Sequence, residues 1–324
     1  MFSKTFTRAA LLALALLGGL VQAHAQTYPD KPIRLVVPFP PGGATDIMAR
    51  LLADGLRERL GQAVIIDNRP GAGTMIASDI VAKAAPDGYT LLLAASPLVI
   101  APSLYAKVNY DPIKDFVPIT QVASIVHVLV VNPKLPATNV GELIAYLQAN
   151  PGKASYGSVG AGTLTHIKAE AFKSMAGVKM EHIPYKGSAP AETDLIGGEI
   201  QLMFDSYPSA SPFIRNGNVR ALAIATPKRS PVAPDLPTIA ESGLPGFELA
   251  PWLGVVAPAG TPVEVVSRIQ RETAELLKRP EMQKKFLELG LEPVGSSPKE
   301  FGKLMRDDMA SYGKTVKEAG IKVD

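Results

Sequence analysis

Short apolar runs alternate along the chain with segments whose apolar residues recur at helical spacing. The run IRLVVPF (33–39) comes first, and a helical pattern follows it and ends at Gly61. The runs AVIIDNR (63–69) and TLLLAAS (90–96) continue the series, with a helix predicted between them to about Ala85. Strands that are apolar almost throughout and alternate with helices are typical of a parallel sheet covered on both faces.

The same alternation returns in the second part of the chain. Strands are predicted at 125–133, 200–206 and 219–226, at 153–160 where the strand leads into a glycine-rich turn, and at LGVVAPAG (253–260) after a proline-rich stretch. Three helix starts are marked by a capping residue with a glutamate three positions later, namely Asn139 with Glu142, Thr261 with Glu264, and Ser297 with Glu300.

This order of elements predicts two α/β lobes, each a mainly parallel sheet flanked by helices, with a ligand cleft between them. We expect lobe one to comprise residues 26–125 and 250–324, and lobe two residues 126–249. The chain would then cross between the lobes twice, near 125 and again within 225–255. Two crossings form a hinge.

The first 25 residues have the features of a secretory signal peptide. Lys4 and Arg8 precede the apolar run 9–21, which ends in the small-residue motif Ala23-His24-Ala25. An uncleaved membrane anchor is the alternative, but about 13 apolar residues fall short of the roughly 20 that a spanning helix needs. We expect cleavage after Ala25 and export of the mature chain.

Composition excludes several classes of function. The formal net charge is +3 and falls to +1 without the signal peptide, which is too little for a protein that binds nucleic acid by neutralising phosphates. The chain contains no cysteine, which excludes disulfides, iron–sulfur clusters and a cysteine nucleophile. The histidines show no metal-ligand spacing, so we expect neither a metal site nor a cofactor.

Motifs of common enzymes are also missing. YGSVG lacks the glycine two places before Ser158 that a nucleophile elbow needs. Neither glycine-rich loop continues into Gly-Lys-Ser/Thr, and GAGTLTH lacks the spacing of a dinucleotide fingerprint. Nothing in the sequence therefore resembles a prepared pair of nucleophile and base, and we expect no enzyme activity.

Four loops lie where ligands bind in such folds, after the carboxyl ends of predicted strands. They are PFPPGGATD (38–46), NRPGAGT (68–74), YGSVGAGTLTH (156–166) and PYKGSAPAETD (184–194). The first and third lead through glycines into a helix start, where unpaired amides and the helix dipole attract an anion. The candidate glycines are Gly42, Gly43, Gly160 and Gly162, and the candidate hydroxyl donors are Ser158, Thr163 and Thr165.

Each of these residues also has a purely structural interpretation. A glycine-rich turn is often only a tight turn, and Asp46 is equally suited to the first turn of a helix. His166 is suited to a structural hydrogen bond, and Asp205 to bracing a neighbouring loop. Tyr185 and Phe39 are either packing residues or ligand walls. The sequence alone leaves these alternatives open.

Several ordered motifs resemble one known family. They include PFPPGGATD (38–46), VIIDNRPGAG (64–73), AAPDGYTLLL (84–93), YGSVGAGTLTH (156–166) and PYKGSAPAETDLIGGEIQLMFDS (184–206). In these segments the chain resembles the periplasmic substrate-binding receptors of tripartite tricarboxylate transporters, the Bug family. The resemblance covers essentially the whole mature chain.

The resemblance implies a periplasmic-binding-protein (Venus flytrap) fold whose lobes close on a small carboxylate. It places Phe39, Gly42, Gly43 and Asp46 on one side of the ligand. It places Ser158, Gly160, Gly162, Thr163 and His166 on the other side, with Ser96 as a further contact. We expect the group distal to the bound carboxylate to be read by Asp46, Ser96, Tyr185 or Asp205.

The resemblance further implies transient partners, the membrane permease subunits of a tripartite transporter, and we expect a periplasmic monomer. Two alternatives remain open. One is a carboxylate-sensing receptor for a signalling system, which the sequence does not distinguish from a transport receptor. The other is an exported hydrolase, against which the missing enzyme motifs argue. The identity of the carboxylate is not encoded in any motif.

Overall fold

The computed structural model describes residues 28–247, 249–321 and 323, so the predicted signal peptide and its cleavage site lie outside the described residues. Within these ranges the strands are, in chain order, β1 (Ile33–Val37), β2 (Val64–Asn68), β3 (Thr90–Ala95), β4 (Phe116–Ile125), β5 (His127–Val131), β6 (Ser155–Ser158), β7 (Glu181–Pro184), β8 (Leu202–Ser206), β9 (Arg220–Ile224), β10 (Trp252–Pro258) and β11 (Leu291–Pro293). The helices are α1 (Ala44–Leu60), α2 (Met75–Ala82), α3 (Pro97–Leu104), α4 (Val140–Ala149), α5 (Leu164–Ala176), α6 (Ser188–Gly197), α7 (Tyr207–Arg215), α8 (Val263–Leu277), α9 (Pro280–Glu288) and α10 (Pro298–Glu318). None of the helices in these ranges combines the length and the apolar character needed to cross a membrane.

The first sheet has six strands in the order β11-β4-β10-β3-β1-β2. β1 is parallel to β2 and β3, whereas β10 is antiparallel to β3 and β4, and β11 is antiparallel to β4. All seven residues of β10 are buried, and α1, α8 and α10 pack against strands of this sheet. Helices that cover the sheet explain why its inner strands carry apolar side chains on both faces.

The second sheet has five strands in the order β7-β6-β8-β5-β9. β6 is parallel to β7 and β8, whereas β5 is antiparallel to β8 and β9. The α/β fold with two sheets is confirmed, but both sheets are mixed rather than mainly parallel. A strand buried on both faces is apolar whichever way it runs, so the apolar pattern did not reveal the direction of β5 and β10.

The chain passes from the first sheet to the second through a single residue. β4 ends at Ile125, β5 begins at His127, and Val126 between them is fully buried. The apolar pattern predicts one run over 125–133 and no strand over 116–125. The break between the two strands falls inside this run, just before His127, and no glycine or proline marks it.

Most of the predicted helix ends are present. Gly61 follows α1 with φ +71°, a left-handed cap, and Asn139 accepts a hydrogen bond from the Glu142 amide at the start of α4. Ser297 and its glutamate partner form a complete capping box at α10. The cap predicted at Thr261 is wrong, because its hydroxyl donates to the last carbonyl of β10 and α8 begins two residues later.

One apolar core joins the two sheets. It contains Leu92 of β3 and Phe204 of β8, and α10 contributes Phe301 and Tyr312. Trp252 of β10 meets Phe301 edge-to-face, with the ring centroids 5.1 Å apart. Since α10 supplies side chains to a core shared by both sheets, we expect the described part of the chain to unfold as one cooperative unit.

Candidate functional site

A cavity of about 330 Å³ lies between α3 and the segment that leads into α5. We call it the α3–α5 cavity. It is lined by α3 residues, by Tyr105, by the segment from Val159 to Thr165 apart from Gly160, by His127 of β5, and by Gly73 after β2. Because loops after β2, β3 and β6 meet here, it lies where open α/β sheets bind ligands. Two larger hollows, of about 660 and 510 Å³, lie along α10 and contain none of the predicted site residues.

The loop between β6 and α5 is held by its own hydroxyl groups. The Ser158 hydroxyl donates to the Gly160 carbonyl at 3.0 Å, and the Thr163 hydroxyl donates to the same carbonyl at 2.6 Å. The Thr165 hydroxyl oxygen accepts from the Val159 amide at 3.1 Å. Gly160 has φ +144°, a backbone angle that favours glycine. These bonds fix the conformation of one wall of the cavity.

The N-terminus of α5 begins at this wall. Thr163 is the N-cap residue, but its hydroxyl binds the loop carbonyl and makes no capping bond to the helix. The first-turn amides therefore receive no side-chain cap, and their partial positive charge lies beside the cavity-lining residues Thr163, Leu164 and Thr165. Such a helix end is suited to an anion.

Two stacked histidines support the same loop. The rings of His166 and His182 stack with centroids 3.8 Å apart. The Gly162 amide donates to His166 Nδ1 at 3.1 Å, and the Ser158 hydroxyl contacts His182 Nε2 at 2.7 Å. Burial, followed by the charge of His182, lowers the pKa of His166 to about 4, and burial lowers the pKa of His182. Both rings are neutral at neutral pH, and their contacts with Ser158 and Gly162 hold the loop in place.

Ser158 and His182 are 24 residues apart, so no motif of neighbouring residues predicts their contact. Ser158 is fully buried, and no carboxylate in the described part of the chain hydrogen-bonds to His182. A catalytic serine needs an accessible hydroxyl and a base oriented by a third group. This pair has neither feature and instead anchors the loop.

Asp46 holds the loop that follows β1. Its Oδ2 atom accepts from the Gly42 amide and from Arg50 Nε, both at 2.9 Å, and Oδ1 accepts from Asn68 at 2.9 Å. The side-chain bond to Arg50 is the largest of the effects that lower the pKa of Asp46 to about 2. Asn68 also donates to the carbonyl of Phe39 at 3.0 Å. Asp46 is thus ionised, and the hydrogen bonds accepted by both of its carboxylate oxygens hold the loop in place.

The other predicted residues near the first sheet differ in how accessible they are to a ligand. Gly42 has φ +90°, whereas Gly43 has φ −80° and a Cβ there would meet nothing within 4 Å. Ser96 is fully buried, and its hydroxyl accepts from the Trp252 amide at 2.9 Å, which joins the end of β3 to β10. Gly43 is therefore open to a ligand, and Ser96 is not.

The side chains of Tyr185 and Asp205 both bind residues of α6. The Tyr185 hydroxyl donates to Asp194 at 2.7 Å, and burial, followed by this bond, raises the pKa of Tyr185 to about 12. Asp205 Oδ1 accepts from the Ser188 hydroxyl at 2.8 Å and from the Ser206 amide at 2.7 Å. The two side chains thereby hold α6 in place.

Asp205 also interacts with Glu192 of α6. Both side chains are buried, and no donor group reaches Asp205 Oδ2 or Glu192 Oε1. Burial, followed by the hydrogen bond to Asp205 and its charge, raises the pKa of Glu192 from 4.5 to about 8, and burial also raises the pKa of Asp205. At neutral pH Glu192 is therefore protonated and donates to Asp205.

Glu192→Gln is expected to stabilise the protein at pH 8 by roughly 1 kcal/mol and to change little at pH 4.5. The raised pKa of Glu192 makes the native chain lose stability as the pH rises from 4.5 towards 8, because only the unfolded chain releases the proton easily. Glutamine donates the same hydrogen bond at every pH. Thermal melts from pH 4.5 to 9 measure the difference, with Glu199→Gln on the exposed surface as control. A constant difference across this range would contradict the shared proton.

Three predicted residues, Gly162, Thr163 and Thr165, line the α3–α5 cavity. The others lie outside its lining, namely Phe39, Gly42, Gly43, Asp46, Ser96, Ser158, Gly160, His166, Tyr185 and Asp205. The sequence analysis missed His127 and the α3 wall. His127 is the one polar residue in the apolar run IVHVLVV, a signal that could have identified it. The described residues contain no group of three or more His, Asp or Glu placed to hold a metal ion.

Comparisons with known proteins identify a family and several similar proteins. The family described as "Tripartite tricarboxylate transporter family receptor" matches residues 48–321. The protein BugT of Bordetella pertussis is 40% identical and covers 96% of each chain. A solved R. palustris protein with adipate is 40% identical, with a TM-score of 0.75, over 91% of this chain and 100% of the other. MatC from Rhodopseudomonas palustris, with bound malate, is 31% identical, with a TM-score of 0.70, over 89% and 100%.

Proposed function

Because this chain belongs to the tripartite tricarboxylate transporter receptor family, we propose that it captures a small carboxylate and delivers it to the membrane subunits of such a transporter. The observation that carries the proposal is the uncapped N-terminus of α5 at the wall of the α3–α5 cavity. Amides of a helix N-terminus bind a carboxylate without an arginine.

In this proposal residues 26–125 and 250–324 form one lobe and residues 126–249 the other. The ligand lies between the glycine loop after β1 and the loop between β6 and α5. Gly43 lets the first loop approach the ligand, and the hydroxyl network of Ser158 and Thr163 keeps the second loop in its binding conformation. Contacts made to both lobes favour the closed state, so the ligand shifts the hinge equilibrium towards closure.

The proposed place of action is the periplasm, reached by export and cleavage after Ala25. The proposed partners are the permease subunits, which the receptor contacts transiently as a monomer. Two observations support the periplasm as the place of action. The chain belongs to this receptor family, and its N-terminus has basic residues before an apolar run. Binding needs no metal ion in this mechanism, because helix amides and hydroxyl groups supply the hydrogen bonds.

The experiment is a thermal-shift screen of the mature chain from Gln26 against a library of carboxylates. A true ligand at 100 times its dissociation constant is expected to add about 2.7 kcal/mol to the free energy of unfolding. Calorimetric titration in EDTA then measures the affinity. A screen without a single stabilising carboxylate would refute the proposal.

Gly43→Val is expected to weaken binding of the strongest screened carboxylate at least tenfold, about 1.4 kcal/mol, and to leave the melting temperature unchanged. The added side chain meets no protein atom and the backbone angle is ordinary, so the loss arises from obstruction of the ligand. Gly197→Val at the end of α6 is the matched control, since a Cβ there also meets nothing within 4 Å. Unchanged affinity in Gly43→Val would remove the first loop from the site.

A further inference from the structure

The α3–α5 cavity has one distinctly apolar wall. Pro97, Ile100, Ala101 and Leu104 all face it from α3, and Tyr105 adds an aromatic ring at the end of the helix. The opposite wall carries the hydroxyl groups of Thr163 and Thr165 beside the N-terminus of α5. One wall is therefore suited to a carboxylate, and the other to the hydrocarbon part of a ligand.

The lining of the cavity contains no Asp, Glu, Lys or Arg residue. His127 is its one titratable imidazole, and burial, followed by the charge of Lys168, lowers the pKa of His127 well below its usual value. The histidine is therefore neutral and offers hydrogen bonds without a charge. The hydroxyl of Thr165 is already used by the Val159 amide, and that of Thr163 by the Gly160 carbonyl.

These observations leave the His127 ring and the Tyr105 hydroxyl as side-chain partners for additional polar groups on a ligand, whereas the α3 residues of the lining offer none. A hydroxyl group placed against the α3 wall would lose its hydrogen bonds to water and find none in the protein, which costs free energy. An extra carboxylate there would lose hydration without meeting a cation. Methylene or aromatic carbons in the same place gain free energy from the area they bury.

We infer that the ligand is a carboxylate with an apolar alkyl or aryl body that packs on α3, and not a polyhydroxylated or tricarboxylic acid. The inference rests on the proposed function and adds the chemical class of the ligand. The carboxylate lies at the N-terminus of α5, and the body extends along Ile100, Ala101 and Leu104.

Two pairs of acids with matched chain length and charge test the inference. Hexanoate and gluconate are six-carbon monoacids, and adipate and galactarate are six-carbon diacids; the second member of each pair differs by its hydroxyl groups. In calorimetric titrations of the mature chain, the apolar member of at least one pair is expected to bind at least tenfold more tightly, about 1.4 kcal/mol.

Leu104→Asn tests whether the α3 wall causes the preference. This change keeps the size of the side chain and makes the wall polar at a partly exposed position. The variant is expected to bind the preferred apolar acid at least fivefold more weakly. The ratio of its affinities for the apolar acid and the hydroxylated acid of the same pair is expected to decrease. Ile65→Asn on β2, where the side chain is 54% exposed, is the control and is expected to leave both affinities unchanged. Thermal melts confirm that both variants are folded.

Equal or tighter binding of the hydroxylated members would overturn the inference and leave the proposed function intact. The inference also fails if none of the four acids binds, or if Leu104→Asn retains the full preference. If none of the four acids binds but another carboxylate stabilises the protein in the thermal-shift screen, the proposed function still holds. A screen without any carboxylate ligand would refute both.

Discussion

Phe301→Ala is expected to lower the free energy of unfolding by about 4 kcal/mol. Phe301 is fully buried on α10, and its ring packs edge-to-face on Trp252. The ring also occupies the space above Gly254, where a Cβ would lie well inside contact distance of the ring atoms. Removing the ring leaves a cavity that α10 and β10 are too well packed to close.

Urea denaturation followed by fluorescence and circular dichroism measures this loss. Phe301→Leu keeps most of the volume and is expected to lose about 1 kcal/mol, whereas Ile65→Ala on the exposed face of β2 stays within about 0.5 kcal/mol. Both probes are expected to give one coincident transition, because the core on α10 is shared by the two sheets. A loss below 1 kcal/mol for Phe301→Ala would contradict this packing.

Local signals predicted the parts of the fold that depend on neighbours in sequence. Gly61, Asn139 and Ser297 each carry a capping preference that acts within one helical turn, and all three end or start a helix in the structure. The apolar runs predicted most strands correctly, because a strand buried on both faces needs apolar residues whichever strands it pairs with.

Strand direction and the break at Val126 were not predictable in this way. Both are set by which strands become neighbours, and β10 pairs with β3 and β4 from more than a hundred residues away. β4 was missed because its sequence, FVPITQVASI, contains a proline and polar residues that weaken the strand pattern. Its pairing with β10 supplies the hydrogen bonds that decide the conformation.

The candidate site shows the same division. Glycines and hydroxyl residues near 158–166 could be selected from the sequence, because a loop that leads into a helix forms an anion site by local geometry. The α3 wall could not, since apolar residues reveal nothing about which cavity they face, whereas His127 stands out as the polar residue of an apolar run. The bonds of Asp46, Ser96 and Asp205 to Asn68, Trp252 and Ser188 likewise depend on distant partners that the sequence does not identify.

Lys168→Met is expected to raise the free energy of unfolding by about 3 kcal/mol at pH 7. Lys168 on α5 is fully buried, and its Nζ atom has no hydrogen-bond partner. Burial lowers the pKa of Lys168 well below its usual value, although the charge of Asp308 on α10 opposes this effect. The unfolded chain holds the lysine proton up to a pH of about 10.4, so burying Lys168 at lower pH costs free energy, whether the proton is released or the charge is buried.

The gain from Lys168→Met has a defined pH dependence. The native protein becomes more stable as the pH rises towards 10, because the unfolded chain then also loses the lysine proton. The advantage of methionine is therefore expected to be largest below pH 7 and to disappear near pH 10. Urea denaturation at pH 6, 8 and 10 measures it, with Lys284→Met on the exposed face of α9 as control. A destabilised Lys168→Met variant at pH 7 would show that the Lys168 ammonium has a stabilising partner in the folded chain, and the argument from an unpaired buried amine would fail.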